Sequence, residues 1–412
     1  MKIAIVSDIH FGDPDCQLAV GNEVGPKYAQ LEALLKSVGE LDFLVLSGDV
    51  LDFSVASYQE AMEPAKAFFD AIKRAGITKE IIYLAGNHDA DIWQIMQFQR
   101  SVINRVAAGK LPEELRHSVP ALLDDRPGSA TPGLTLHGVK PRDLNQESTP
   151  CEPQPESKYG GMFLDKIAGH PVNFAYPNLF VLTDQGECVM VTHGQYLEPY
   201  WAILSECVDY AAGQEIQLGR PLRMEDLVAI NFPFNQLGCS GIGQAGVLTS
   251  KVVGPIKQAS EVGDYSQASL YLSRSVDFLL KSFGVGCLMR WLGKRVAASW
   301  LDGVSKKPST RYREDLMQDQ AVMDRLERYF ASSCAELVEI GKSAGGVQAP
   351  RPTRLIFGHT HQPTTWKDAY PVFKEKLLVS NTGGWLVDGD KFCGAEVFIY
   401  ESGKGFRSEP IK

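Results

Sequence analysis

The chain lacks paired cysteines of the CxxC type, a compact cysteine framework and any internal repeat; its eight cysteines are scattered over 412 residues. This spacing argues against a disulfide-built scaffold and for reduced thiols in a cytosol. A basic excess is missing too. The formal net charge is −9, which argues against a protein that coats nucleic acid but leaves room for a local cationic site. A membrane-spanning run is also missing. Residues 227–250 carry no charge, yet Asn231, Asn235, Gln236, Gln244, one proline and four glycines interrupt them, so a transmembrane helix is not expected there. The opening MKIAIVSDIH reads as a first strand, without the basic head and longer apolar run of a secretory leader. A cytoplasmic location is therefore expected.

What is present is an ordinary globular composition, with 44% hydrophobic and 22% charged residues, in a chain longer than one usual domain. The first half alternates strand-like runs (2–7, 42–49, 80–87) with helix-like stretches. Leu31, Leu34, Leu35 and Val38 recur at helical spacing, and Ile92, Met96, Gln99 and Ile103 continue a second face. Such alternation predicts an α/β architecture with buried sheets. Residues 124–161 turn rich in proline, glycine and small polar residues, a loop composition. Residues 178–194 read as a hairpin turning at Asp184-Gln185-Gly186. From 197 to 350 helical patterns dominate, and strand-like runs return at 353–358, 376–384 and 395–400. The expected organisation is a core of 1–196 plus 351–412, interrupted by a mostly helical insertion at 197–350.

Chemistry gathers where the apolar runs stop. Asp8 and His10 follow the first, Asp49 and Asp52 the second, and Asn87, His88 and Asp89 the third. His193 follows the hairpin, and His359 and His361 follow LIFG. Side chains leaving the carboxyl ends of strands in one sheet system converge on one site. Imidazole, carboxylate and one amide oxygen together suit a divalent transition ion, and the absence of cysteine argues against a structural zinc. Seven candidate ligands exceed the capacity of one four- to six-coordinate ion, whereas two ions sharing a carboxylate account for them.

The five blocks in order, Asp8-Ile9-His10, Gly48-Asp49-Val50-Leu51-Asp52, Gly86-Asn87-His88-Asp89, His193-Gly194 and Gly358-His359-Thr360-His361, closely resemble the signature of the calcineurin-like metallophosphoesterases. The resemblance covers the interrupted core only. It implies a two-layer β-sandwich flanked by helices, within the α/β class, with a di-metal site at one sheet edge. By the same resemblance, Asp8, His10 and His361 hold the first ion, Asp49 bridges, and Asn87, His193 and His359 hold the second. His88 is then the general acid at the leaving group, oriented by Asp52 or Asp89. The expected cofactors are two divalent ions (Mn, Fe, Zn or Ni). Such a pair can lower the pKa of a bridging water and clamp a phosphoryl group for attack by the resulting hydroxide.

The sequence also departs from some relatives. Purple acid phosphatases carry a tyrosine at the position of Asp52. Protein serine/threonine phosphatases extend the second block to D-R-G and have G-N-H-E, where this chain reads Asp52-Phe53-Ser54 and Asp89. The expected activity is hydrolysis of a phosphodiester or pyrophosphate of a small or lipid-linked molecule. A phosphomonoesterase is the alternative, and a non-catalytic metal-binding scaffold the contrasting class.

Elsewhere the plainer readings are preferred. His117, His137 and His170 read as surface or core histidines. NTGGW at 381–385 reads as packing. In the insertion, Leu272, Val276, Leu279 and Phe283, then Leu288, Trp291 and Leu292, mark two amphipathic helices with Arg274 and Lys281 on the other face. Packing on the core is expected, with peripheral membrane contact as the alternative. The uncharged 227–250 stretch reads as a loop or lid beside an apolar cavity.

Overall fold

The computed structural model describes residues 1–129, 131–136, 162–198, 201–202, 204–205, 223–236, 266–295, 313–372, 375–388 and 391–412. His137, Ile242, most of the 124–161 loop and the uncharged residues 237–250 lie outside them, as do the side chains of Leu272 and Leu279.

In chain order the strands are β1 (Lys2–Val6), β2 (Ala19–Val20), β3 (Glu23–Val24), β4 (Leu41–Ser47), β5 (Thr78–Leu84), β6 (Ala121–Asp124), β7 (Gly133–Leu136) and β8 (Val172–Ala175). There follow β9 (Asn178–Leu182), β10 (Cys188–Thr192), β11 (Arg354–Phe357), β12 (Pro363–Val372) and β13 (Glu375–Thr382). The last are β14 (Val387–Asp388), β15 (Lys391–Phe392), β16 (Ala395–Glu401) and β17 (Gly405–Ile411). One sheet runs β17-β16-β1-β4-β5-β8 and the other β12-β13-β11-β10-β9-β6-β7. Strands from before and after the 197–350 segment share each sheet.

Alternation along the strands explains the layers. Ile3, Ile5, Val45, Ile82, Leu84, Val181, Val189, Val191 and Ile356 point into one buried cluster that belongs to both sheets. Their neighbours Ala4, Val6, Leu44, Leu46, Ile81, Phe180, Met190, Leu355 and Phe357 join a second cluster with the helices. Strands buried on both faces give the near-continuous apolar runs seen in the sequence. The fold is a two-layer β-sandwich with flanking helices.

The helix Tyr58–Arg74 shows how the crossovers are built. Ser57 and Glu60 form a capping box at its start, satisfying two exposed amides, and Ala61, Ala65, Phe68, Phe69 and Ile72 face the sheet. The next helix, Ala90–Phe98, does not continue its apolar face through Ile103. A π turn at Gln99–Ile103 shifts the register, and Ile103 emerges 54% exposed.

Between 197 and 350 no strand occurs among the described residues. Residues 224–235 form a helix instead of the expected loop. Met224, Val228 and Phe232 join the core cluster, and its asparagines are buried but bonded, Asn231 to Ser205 and Asn235 to Tyr196. The helix Gln320–Ser343 likewise packs on the core through Leu326, Tyr329, Phe330 and Leu337. The helix Ser266–Ser282, the turn after it and the helical residues 287–295 differ: Phe278, Phe283, Leu288 and Met289 are 69%, 79%, 68% and 59% exposed. The expected core-packing role of Phe283 and Leu288 is not what the structure shows.

Candidate metal centre

β1, β4 and β5 are adjacent and parallel in the first sheet, and β10 and β11 are adjacent and parallel in the second. Every candidate residue follows one of these five strands, so all ten leave the sandwich at its carboxyl edge. The loops stay zipped beyond the strands: Asp8 N donates to Gly48 O (3.0 Å) and His10 N to Asp49 O (2.9 Å). His359 N donates to both carboxylate oxygens of Asp8, at 2.8 and 3.0 Å, stitching the second sheet to the first.

Backbone strain marks the same place. Among the described residues the non-glycine positions with positive φ are Asp8, His10, Asp49, His359 and His361, all between 50° and 68°. Left-handed backbone costs an L-residue roughly 1–2 kcal/mol, and such residues concentrate where surrounding structure enforces a functional geometry.

Ring hydrogen bonds define which nitrogens carry protons. His10 Nδ1 donates to Asp52 Oδ2 at 2.8 Å, and His193 Nδ1 donates to the Ser47 carbonyl at 3.2 Å. The Nε2 atoms of both rings are thereby left as acceptors. Yet His10 Nε2 faces His361 Nε2 at 3.1 Å, and His193 Nε2 faces Asn87 Oδ1 and Asp49 Oδ2, each at 3.1 Å. Lone pairs converging on lone pairs are satisfied only by a shared cation or an added proton. Two buried trios offer ligand atoms within 4.8 Å of one another: Asp8, His10 and His361, and Asp49, His193 and His359. The latter ring adds a buried Nδ1 with no hydrogen-bond partner among the described residues. Asp49 Oδ2 also lies 3.8 Å from His10 Nε2, so this carboxylate touches both groups. The donor set fits divalent transition ions.

The electrostatics agree. Burial pushes Asp49 up, but the imidazoles of His193, His88 and His10 outweigh it and hold the carboxyl well below its ordinary value. Burial pushes His193 down, but the charge of Asp49 dominates and raises the imidazole to about 9. Without a metal, a proton occupies the place between them, and metal binding must expel it.

A third grouping, His10, Asp52 and His88, is accounted for by hydrogen bonds. Asp52 Oδ1 accepts from His88 Nδ1 at 2.9 Å while Oδ2 holds His10, and Ser54 Oγ also contacts His88 Nδ1. The His88 side chain is 12% exposed, against 1% for Asp49, so it reaches the open side of the cluster. Asp89 is placed differently. Its carboxyl accepts from Gly86 N, Val50 N and the Tyr83 hydroxyl, and burial followed by the nearby Asp49 charge pushes it above its ordinary value. Asp89 fastens the loops of β4 and β5 to each other, and the carboxylate on His88 is that of Asp52.

Sequence reading missed Glu198, whose Oε2 lies 2.7 Å from His359 Nε2. It also missed Ser54, whose hydroxyl donates to Asp52. Neither sits in a recurrent pattern; Ser54's distance of two from Asp52 was the one available signal. NTGGW packs as expected: Asn381 Nδ2 donates to the Gly358 carbonyl and to Thr360 Oγ1. His170 is partly buried, and burial lowers its imidazole.

Residues 1–182 match the family model of calcineurin-like phosphoesterases. Over this segment the chain is similar to the calcineurin-like phosphoesterases. The matched part contains Asp8, His10, Asp49, Asp52, Asn87, His88 and Asp89, whereas His193, His359 and His361 lie beyond it. No curated protein matches the chain. Among the described residues no helix is long and apolar enough to cross a membrane.

Proposed function

We propose that the protein is a di-metal-dependent phosphoesterase that hydrolyses a phosphodiester or pyrophosphate of a small or lipid-linked molecule. The observation that carries this reading is the convergence of buried acceptor atoms from His10, His361, His193, Asn87 and Asp49. Asp8, His10 and His361 would hold one ion and Asn87, His193 and His359 the other, with Asp49 shared. When bound, the ions supply Lewis-acid charge for a phosphoryl group and lower the pKa of a coordinated water.

His88 would donate the proton that the departing oxygen needs. Asp52 holds its Nδ1–H, which turns Nε2 towards the cluster, 4.0 Å from Asp49 Oδ2, and stabilises the imidazolium. Burial pushes Asp52 up, but His88 and His10 prevail and keep it well below its ordinary value, so it stays ionised across the working range. Asp89 would act on geometry alone, by holding the loop that presents Asn87 and His88.

The exposed apolar residues between Phe278 and Leu292 favour a lipid-linked substrate and peripheral membrane contact. Trp291 and Leu292 are 47% and 41% exposed there, beside Lys281, Arg290, Lys294 and Arg295, the composition of a segment that lies on an anionic surface. A phosphomonoesterase is the alternative. A binding scaffold without catalysis has no need of the complete donor set together with His88 and its Asp52 clamp.

Metal analysis of the purified chain, followed by parallel assays on an aryl phosphate monoester and its diester, tests the proposal. Two divalent ions per chain and faster diester hydrolysis are expected. A chain that takes up no divalent ion, or that turns over neither ester, refutes it; faster monoester hydrolysis selects the alternative.

A further inference from the structure

We propose that Glu198 is a positioning residue that fixes the tautomer of His359 for metal binding, an inference that rests on the two-metal reading above. His193 and Gly194 run directly into the short 3-10 turn Gln195–Leu197, and Glu198 closes it, its amide donating to the Gln195 carbonyl at 3.0 Å. The turn is anchored: Gln195, Tyr196 and Leu197 are buried, and Gln195 Nε2 donates to the Tyr176 hydroxyl at 3.1 Å. Glu198 is thus delivered to one place, with its side chain 23% exposed and Oε2 at 2.7 Å from His359 Nε2.

A neutral imidazole carries one N–H, and a carboxylate accepts but cannot donate. The contact therefore puts the proton on Nε2. Nδ1 is left with its lone pair, and this is the buried atom without a hydrogen-bond partner among the described residues. The ring itself stands edge-on to that of His193, centroids 5.2 Å apart, within the trio that includes Asp49. The other two candidate ligand rings whose N–H partners are visible are set in the opposite sense. His10 and His193 donate through Nδ1, to Asp52 and to the Ser47 carbonyl, and present Nε2. The His359 backbone is held at φ 68°, and Glu198 is the partner that meets its Nε2. Carboxylates in such a role raise ligand basicity as well as orienting the ring.

The full-length chain and its Glu198→Ala and Glu198→Gln variants test this with two readouts. In metal-free protein, long-range ¹⁵N NMR of labelled histidines reads the tautomer. Wild type should show His359 protonated at Nε2, and Glu198→Ala should lose that preference. Mn²⁺ titration should then show one of two sites weakened about 10- to 100-fold in the alanine variant, with the other changed by less than about twofold. Glu198→Gln keeps an acceptor at the same place and should restore the tautomer and most of the affinity. An unchanged tautomer and unchanged titration in Glu198→Ala would overturn the inference. Equal weakening of both sites with a lower Tm would overturn it too, by assigning Glu198 to folding of the turn. Failure of the two-metal reading looks different: wild type itself would bind no Mn²⁺, and the inference would fall with it.

Discussion

The two sheets contribute unlike chemistry to one cluster. The first, through the loops after β1, β4 and β5, supplies every candidate carboxylate, the single amide and two imidazoles. The second, through the loops after β10 and β11, supplies imidazoles alone: His193, His359 and His361. Carboxylates bring the negative charge that draws cations in, and they clamp neighbouring rings and amides with their remaining oxygens. Histidines bring neutral donors whose orientation must be set by something else, here the Ser47 carbonyl for His193 and Glu198 for His359. The charged half is also the half inside the family match, while the imidazole half reaches the site by packing across the seam.

Two glycines let the halves meet. A Cβ on Gly48, in the first half, would stand 2.4 Å from the His193 ring; a Cβ on Gly358, in the second, would stand 2.0 Å from Asp8 Oδ2. Each half thus keeps one position bare for a donor of the other.

The comparison is broken most completely at Asp49, the carboxylate that touches rings from both sheets. Asp49→Ala removes that charge from between the two proposed cation positions, at a cost of several kcal/mol in transition-state stabilisation, or about a thousandfold in rate. Metal analysis should show most of the bound metal gone and circular dichroism should show the fold retained. Two ions per chain with near-normal turnover would remove the bridge.

Closing the seam comes next. Gly358→Ala must displace the Asp8 carboxylate by about 1 Å, a misplacement worth roughly a hundredfold in kcat. Mn²⁺ titration should weaken chiefly at the site proposed for Asp8, His10 and His361. A variant with wild-type affinity and rate would show that the bare position is incidental.

His88→Asn acts within the first half alone and should leave both metals in place. Its effect should depend on substrate: on the order of a hundredfold for an alkyl ester, where the leaving oxygen needs a proton, and far less for a nitrophenyl ester. Equal losses on the two would exclude a general acid.

The same asymmetry governed what could be read from the sequence. The charged half announces itself, because its three blocks each follow a run buried on both faces, and such runs are continuous in hydrophobicity. The central strands β1, β4, β5, β9, β10, β11, β13 and β16 were legible for the same reason, whereas the four-residue β6, between β9 and β7, was too short to stand out. The four edges, β17 and β8 of one sheet and β12 and β7 of the other, were not. β12 carries two prolines and β17 reads GFRSEPI, compositions suited to an edge that must not pair further. Partners that set ring orientation were legible only in part. Asp52 lies inside a block, whereas Glu198 lies in a turn that shows no periodicity. Nor could the pattern distinguish Asp52 from Asp89 as the partner of His88, since both follow strand ends; the hydrogen bonds of Asp89 to Gly86, Val50 and Tyr83 decide it.

The smallest expected effect concerns what supports the imidazole half from behind. The helix Gln320–Ser343 lies against β9 and β10, where the Tyr329 hydroxyl meets Thr192 Oγ1 at 2.8 Å and donates to Asn178 Oδ1 at 2.7 Å. Glu336 on the same helix accepts from Ser118 Oγ and from Asn178 Nδ2. Part of the residue remains exposed, but its carboxyl is enclosed, and that burial raises it from 4.5 to about 7. A carboxyl raised in the folded state contributes stability that is present below about 4.5 and is lost as pH climbs to about 7, because the unfolded chain gives up its proton first. Above that the contribution is flat. Glu336→Gln removes the titration while keeping an acceptor for Ser118. Between pH 5 and pH 8, metal-free wild type should therefore lose more Tm than the variant, by roughly 2 °C. Parallel pH profiles for the two proteins would mean that this helix holds the second sheet without a titratable contact, and that the pH sensitivity of the centre belongs to its ligands alone.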